Sequence, residues 1–165
     1  MRAPIVIAGL AGGVAEILWV LAYSALAPVS ATAVAREVTA SLLPDAAGSA
    51  AAPLLGVGIH LALSIAVAFA FVAALGHLLP NGESAVRYVA IAIAALAGVW
   101  AVNFLLLLPL VNARFVTLMP YAATLFSKAL FGAAMGAVLA RQSGTRSRSR
   151  VPPRGARPTS KLPPR

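Results

Sequence analysis

Four polar side chains stand inside otherwise apolar runs of this chain: Glu16, His60, Asn103 and Lys128. A carboxylate and an ammonium can pair. A neutral imidazole adds one donor and one acceptor, and an amide adds two donors and an acceptor. Histidine also titrates near neutral pH, so His60 beside Glu16 and Lys128 would suit a proton relay. A charge at the middle of a bilayer costs roughly 2.5–3.5 kcal/mol on insertion scales. Glu16 and Lys128 therefore each need something that offsets that cost.

The depths of the four residues agree. Glu16 lies ten residues from Leu26, about 15 Å along a helix. His60 lies seven residues from Pro53, about 10 Å. Asn103 lies eight residues from Val111 and Lys128 eight from Pro120, about 12 Å each. They are expected to form one buried polar layer, with Glu16 and Lys128 as its ion pair. Helix faces agree as well. Gly56, His60, Ser64 and Ala68 form one stripe, and Thr124, Lys128, Gly132 and Gly136 another. Gly9, Gly12 and Gly13 precede Glu16 on nearly its own face, and Trp19 and Tyr23 continue that face. Trp100 neighbours Asn103 three positions away. Small residues allow close helix approach in membranes, so Ser64, Thr124, Trp19 and Trp100 are expected to support the layer. Two roles are open to it. Buried polar groups can fix helix register, and intramembrane ionisable groups mark ion and proton pathways.

The elements that must position these residues are apolar spans. The chain has 165 residues, 61% of them hydrophobic and 10% charged, against roughly 25% charged in soluble domains. Its mean hydropathy is +0.91. Four segments, about 5–26, 54–79, 86–111 and 120–140, are each long enough for roughly 30 Å of hydrocarbon. Pro4, Pro53, Pro80 and Pro120 mark their edges, and Pro109 is expected to end or kink the third. The expected fold is all-α: an integral membrane protein with a four-transmembrane-helix antiparallel bundle over residues 1–141. The first segment is read as an uncleaved anchor, since it is long, carries Glu16 and has Pro28 after its only cleavage-like site. The connection after it holds a short helix at about 31–43, capped by Ser30 and stopped by Pro44. Val34, Val38 and Leu42 recur every four residues, which predicts an amphipathic helix on the outer membrane surface.

Eight of the thirteen Lys and Arg residues lie in 141–165. Residues 142–165 are expected to be a disordered basic cytoplasmic tail. It would serve as a topological signal or touch anionic lipid headgroups. Arg2, Arg87, Arg141 and the tail fall on one side, Arg36 and Arg114 on the other. The positive-inside rule then places both termini in the cytoplasm. Arg well above Lys, with abundant Ala, fits a GC-rich bacterial genome and hence the inner membrane. A hydrophobic body argues against nucleic acid as a partner. The partners expected are the bilayer, and a homo-oligomer or a larger membrane complex.

Several chemistries are not expected. With no cysteine there is no thiolate site or disulfide. His60 and His77 share one helix near opposite membrane faces, which does not suit a haem. No spacing suggests a metal, a phosphate loop or a hydrolytic triad. No cofactor and no enzymatic activity are expected.

Ala11-Gly12-Gly13-Val14-Ala15-Glu16 resembles the first helix of small multidrug resistance transporters. That resemblance, over about one helix, implies four helices, an essential carboxylate at Glu16, and a dimer exchanging protons for cationic drugs. The chain departs from it in its long first loop, its basic tail and Lys128, which would compete with a cationic substrate. The whole layout is similar to small uncharacterised four-helix inner-membrane proteins of bacteria, a likeness of architecture that implies no activity. A structural or accessory membrane protein and a proton-coupled transporter or relay are the functions carried forward.

Overall fold

The computed structural model of the chain describes residues 2–78 and 84–148. Helices account for nearly all of them, with no strand among the described residues. The elements are α1 Arg2–Leu26, α2 Ala31–Leu42, α3 Ala52–Leu75, α4 Ala85–Val102, α5 Leu108–Val111, α6 Ala113–Leu118 and α7 Tyr121–Arg148. Four stretches are long and apolar enough to cross a membrane: Arg2–Leu26, Ala52–Leu75, Ala85–Val111 and Tyr121–Ser143. The third is α4 and α5 joined by a π-helical turn, Asn103–Leu107.

Pro109 lies just past that turn, two residues before the helix end at Val111. It has no N–H, and its ring would strike the carbonyl four residues back in a regular helix. The wider turn before it removes the conflict: the Leu108 N–H bonds to the Asn103 carbonyl, five residues earlier. The second span ends sooner than expected, at Leu75, followed by a single 3-10 turn at Gly76–Leu78. The last helix runs past residue 140 to Arg148, so the first seven residues of the expected tail are helical. Gln142 Nε2 donates to the Pro4 carbonyl at 3.4 Å, and Tyr88 Oη pairs with Ser143 Oγ at 2.8 Å. These bonds tie the extension to α1 and α4. The remaining tail, 149–165, and Leu79 and Pro80 lie outside the described residues.

Small residues decide which helices meet. Gly9 lies against Ile65 and Gly13 against Ser64, which brings α1 to α3. Gly12 faces the Phe131 ring, bringing α1 to α7, and Gly132 and Gly136 face Ile93 and Val89 of α4. Along each pairing, residue numbers rise on one helix as they fall on the other. The core sits between α1, α3, α4 and α7, around Ala8, Ala68, Phe71, Ala92, Leu96, Phe131 and Met135. Contacts therefore run in the order α3–α1–α7–α4, and α3 and α4 do not form a packed pair. Their facing sides carry Val57, Leu63 and Val67 against Val99, Val102 and Leu107. Gly98, on the same side of α4, has nothing within 4 Å of where a Cβ would stand.

Helix α2 forms where the periodicity places it, but it does not lie as a free surface helix. It packs on α3 and touches α6. A Cβ at Gly56 would collide with the Ala35 carbonyl, so only glycine allows this approach. Thr39 Oγ1 donates to the Ala52 carbonyl at 2.6 Å, and Arg36 Nη1 donates to the Ala47 and Ser49 carbonyls at 2.7 and 3.0 Å. Val34, Val38 and Leu42 face the space between α3 and α4. The stripe thus forms a roof over that space. Ser30 precedes α2 without capping it; its hydroxyl pairs with Thr32 Oγ1 at 2.6 Å.

Glu37 is buried midway along α2, 7% exposed. Asn112 Nδ2 donates to its Oε2 at 3.0 Å, and Arg114 Nε lies 3.2 Å from its Oε1. The Arg114 side chain is 83% exposed, so water screens that pair and it contributes about 0–1 kcal/mol. Loss of Asn112 would strip a donor from a buried carboxylate, at about 1–3 kcal/mol. Asn112→Ala should therefore lower the thermal unfolding midpoint of the purified protein more than Arg114→Ala does. Equal losses would mean that the arginine anchors α2 as firmly as the amide.

Candidate functional site

Glu16 on α1 meets Lys128 of α7 and His60 of α3, the two helices packed on either side of it. Lys128 Nζ lies 2.7 Å from Glu16 Oε1 and 2.8 Å from Oε2, clasping both oxygens. Ser127 Oγ lies 2.8 Å from Glu16 Oε1 and 2.7 Å from the Thr124 carbonyl. Its one hydroxyl proton serves one of these acceptors at a time. His60 Nε2 lies 3.2 Å from the Gly13 carbonyl and 3.8 Å from Glu16 Oε2. In the neutral ring, Nε2 then carries the hydrogen, donating to Gly13, and Nδ1 is left as an acceptor. Lys128 Nζ also stands 5.9 Å from the centre of the Phe131 ring.

These contacts follow from local sequence. Gly13 on α1 admits α3, so its carbonyl reaches His60 one turn from Ser64. Ser64 turns its own hydroxyl back to the His60 carbonyl at 2.7 Å and is buried at 2% exposure. Thr124 and Ser127 sit on the Lys128 side of α7, both buried. Above the layer, Trp19 Nε1 donates to the Ala123 carbonyl at 3.0 Å, and Trp100 Nε1 donates to Thr124 Oγ1 at 2.9 Å. The two tryptophans thus fasten α7 to α1 on one side and to α4 on the other. Trp19 lies tilted against Phe126 at 4.6 Å between centroids, and Trp100 stacks on Phe104 at 6.0 Å.

Asn103 is placed differently. It opens the π-helical turn beyond α4 and lines the same unpacked space as His60. Among the described residues its side-chain amide makes no hydrogen bond. The space itself is a cavity of about 1090 Å³, bounded by α1, α3, α4 and the roof helix α2. Glu16, His60, Lys128 and Asn103 are its deep polar members; the rest of its wall is mainly Leu, Val, Ala and Phe. It follows α3 from Pro53 to Val67, roughly 21 Å of helix.

Two features escaped the sequence reading. Ser127 was not singled out, although it lies three residues beyond Thr124 and so on the same helix face. The Glu37–Asn112–Arg114 cluster was also missed, because Glu37 sits among charged and hydroxyl residues that read as a solvated face. No group of three or more metal-ligating side chains occurs among the described residues. Chemically, the arrangement can neutralise its own charge and still present an imidazole and a free amide to a guest. Neither the protein-family models, the curated proteins nor the solved structures with which the chain was compared give a match.

Proposed function

We propose that this chain is a multi-pass protein of a bacterial inner membrane that receives a membrane-soluble small molecule between α3 and α4. It is an antiparallel four-helix bundle with both termini cytoplasmic, acting as a binding or accessory protein and not as an enzyme. The observation that carries this reading is the position of the cavity. A polar layer serving only to fix helix register would be enclosed by packed side chains. Here Glu16, His60 and Lys128 line a space of about 1090 Å³, slightly above the usual range for small-molecule pockets. The Glu16–Lys128 pair fastens α1 to α7, and the cavity beside it does the binding.

Native mass spectrometry of protein released from its own membrane in mild detergent tests this. One small molecule should stay bound at close to one per chain. Leu63→Trp and Val99→Trp, which fill the cavity, should lose it while keeping their melting midpoint. Wild-type protein that carries nothing would overturn the reading.

A proton-coupled transporter has one observation in its favour: His60 Nε2 stands 3.8 Å from Glu16. Against the drug-exchange form of it, Lys128 already holds both carboxylate oxygens. Proton-driven flux in proteoliposomes that disappears in folded Glu16→Gln would restore the transporter.

A further inference from the structure

The polar wall of the cavity also says what kind of headgroup it accepts. Its one carboxylate is matched by its one ammonium at 2.7 and 2.8 Å. A charged guest would have to break this pair or bring an uncompensated charge into an apolar space, which is costly in a membrane. An uncharged polar group meets no such barrier. The Asn103 amide, without a partner among the described residues, offers it two donors and an acceptor. His60 lines the same cavity, and in its neutral form the ring has Nδ1 left over once Nε2 is committed to the Gly13 carbonyl at 3.2 Å. A guest's hydroxyl or carbonyl has both of these groups on the wall of its cavity.

The remaining wall accounts for the rest of the molecule. Val57, Leu63, Val99, Val102 and Leu107 line an apolar slot between α3 and α4, which do not form a packed pair. A single aliphatic or isoprenoid chain fits such a slot, and the missing contact lets it enter sideways from the bilayer. Building on the cavity reading above, we infer that the guest is a single-chain amphiphile with an uncharged, hydroxyl- or carbonyl-bearing head held by Asn103 and His60. Phe104 belongs to the same wall and lies 6.0 Å from Trp100, so Trp100 can report occupancy.

The test uses the full chain in phosphatidylcholine vesicles. The sequence has two tryptophans, and Trp19→Phe leaves Trp100 as the only one. Three mid-chain-brominated probes share one tail: octadecanol, octadecyl sulfate and octadecyltrimethylammonium. Octadecanol should quench Trp100 saturably, with half-saturation at least about tenfold below either charged probe. Asn103→Leu should weaken octadecanol about three- to tenfold and leave the charged probes unchanged. Asn103→Thr, which keeps one hydroxyl, should recover part of the loss and guards against a folding defect in the leucine variant. Equal saturable quenching by all three probes, or tightest binding of the sulfate, would overturn the uncharged head while leaving the cavity as a binding site. No saturation by any probe would overturn both, and would mean that a second copy of the chain or bulk lipid fills the slot.

Discussion

Replacing Lys128 by methionine is expected to destabilise the folded protein by about 3 kcal/mol, because Glu16 is then buried without its partner. Glu16 is 7% exposed, and both its oxygens lie within 2.8 Å of Lys128 Nζ. Ser127 can satisfy one oxygen but cannot supply charge. Glu16→Gln should cost a similar amount, now by stranding the ammonium. The double variant Glu16→Gln/Lys128→Met leaves a neutral amide and a thioether, so its loss should fall well short of the sum. A coupling of at least about 1.5 kcal/mol is expected from groups in direct contact. Unfolding in bicelles, measured by steric trapping, gives all three values. Simple additivity would mean that the two side chains do not interact as their distance implies. His60 would not rescue either single variant, since it stands 3.8 Å from Glu16 and is committed to the Gly13 carbonyl.

The other large effect belongs to α4 and α7. A Cβ built on Gly132 falls 2.8 Å from Ile93 Cα and 2.9 Å from the Ala92 carbonyl carbon and oxygen. These are backbone atoms of a neighbouring helix and cannot swing aside as a side-chain tip would. Gly132→Ala should thus push the helices apart at a cost of about 1–3 kcal/mol, the range for overpacked cores. Gly98→Ala is the matched control. It adds the same methyl where nothing lies within 4 Å, and alanine is favoured over glycine in a helix by about 1 kcal/mol. That variant should be neutral or more stable. Thermal unfolding of the two variants side by side separates packing from helix propensity. An unharmed Gly132→Ala would contradict the close α4–α7 approach.

The four long helices and the meeting of Glu16 with Lys128 were readable because both depend on counting along a helix. Depth follows from rise per residue, and facing follows from four-residue recurrence of small side chains. Gly132 and Gly136, spaced this way, pointed to an inward face and do meet α4. The gap between α3 and α4 was not readable in the same way. Nothing local distinguishes Leu63 or Val99 touching lipid from the same residues touching each other, since both surroundings are apolar. Counting placed Asn103 in the layer of the other three, but its distance from the ion pair depends on whether α4 closes against α3. Helix α2 shows the same ambiguity. Val34, Val38 and Leu42 would form one stripe under a membrane surface or over a cavity, and Gly56, far along the chain, decides it. Ser127 was legible in principle, at three residues from Thr124, but a hydroxyl beside a lysine carries no signal that it serves a carboxylate on another helix.

The ion pair joins the first long helix to the last, 112 residues apart in the chain. A ribosome adding 5–20 residues per second needs roughly 6–22 s to make that stretch. Throughout that interval the carboxylate of α1 has emerged and its ammonium has not been synthesised. The first helix therefore either lingers beside the insertion machinery or carries an unmatched charge into lipid until the last one arrives. The bond that neutralises the buried carboxylate cannot form until the last long helix is being made, and it sets how long the nascent chain needs shelter.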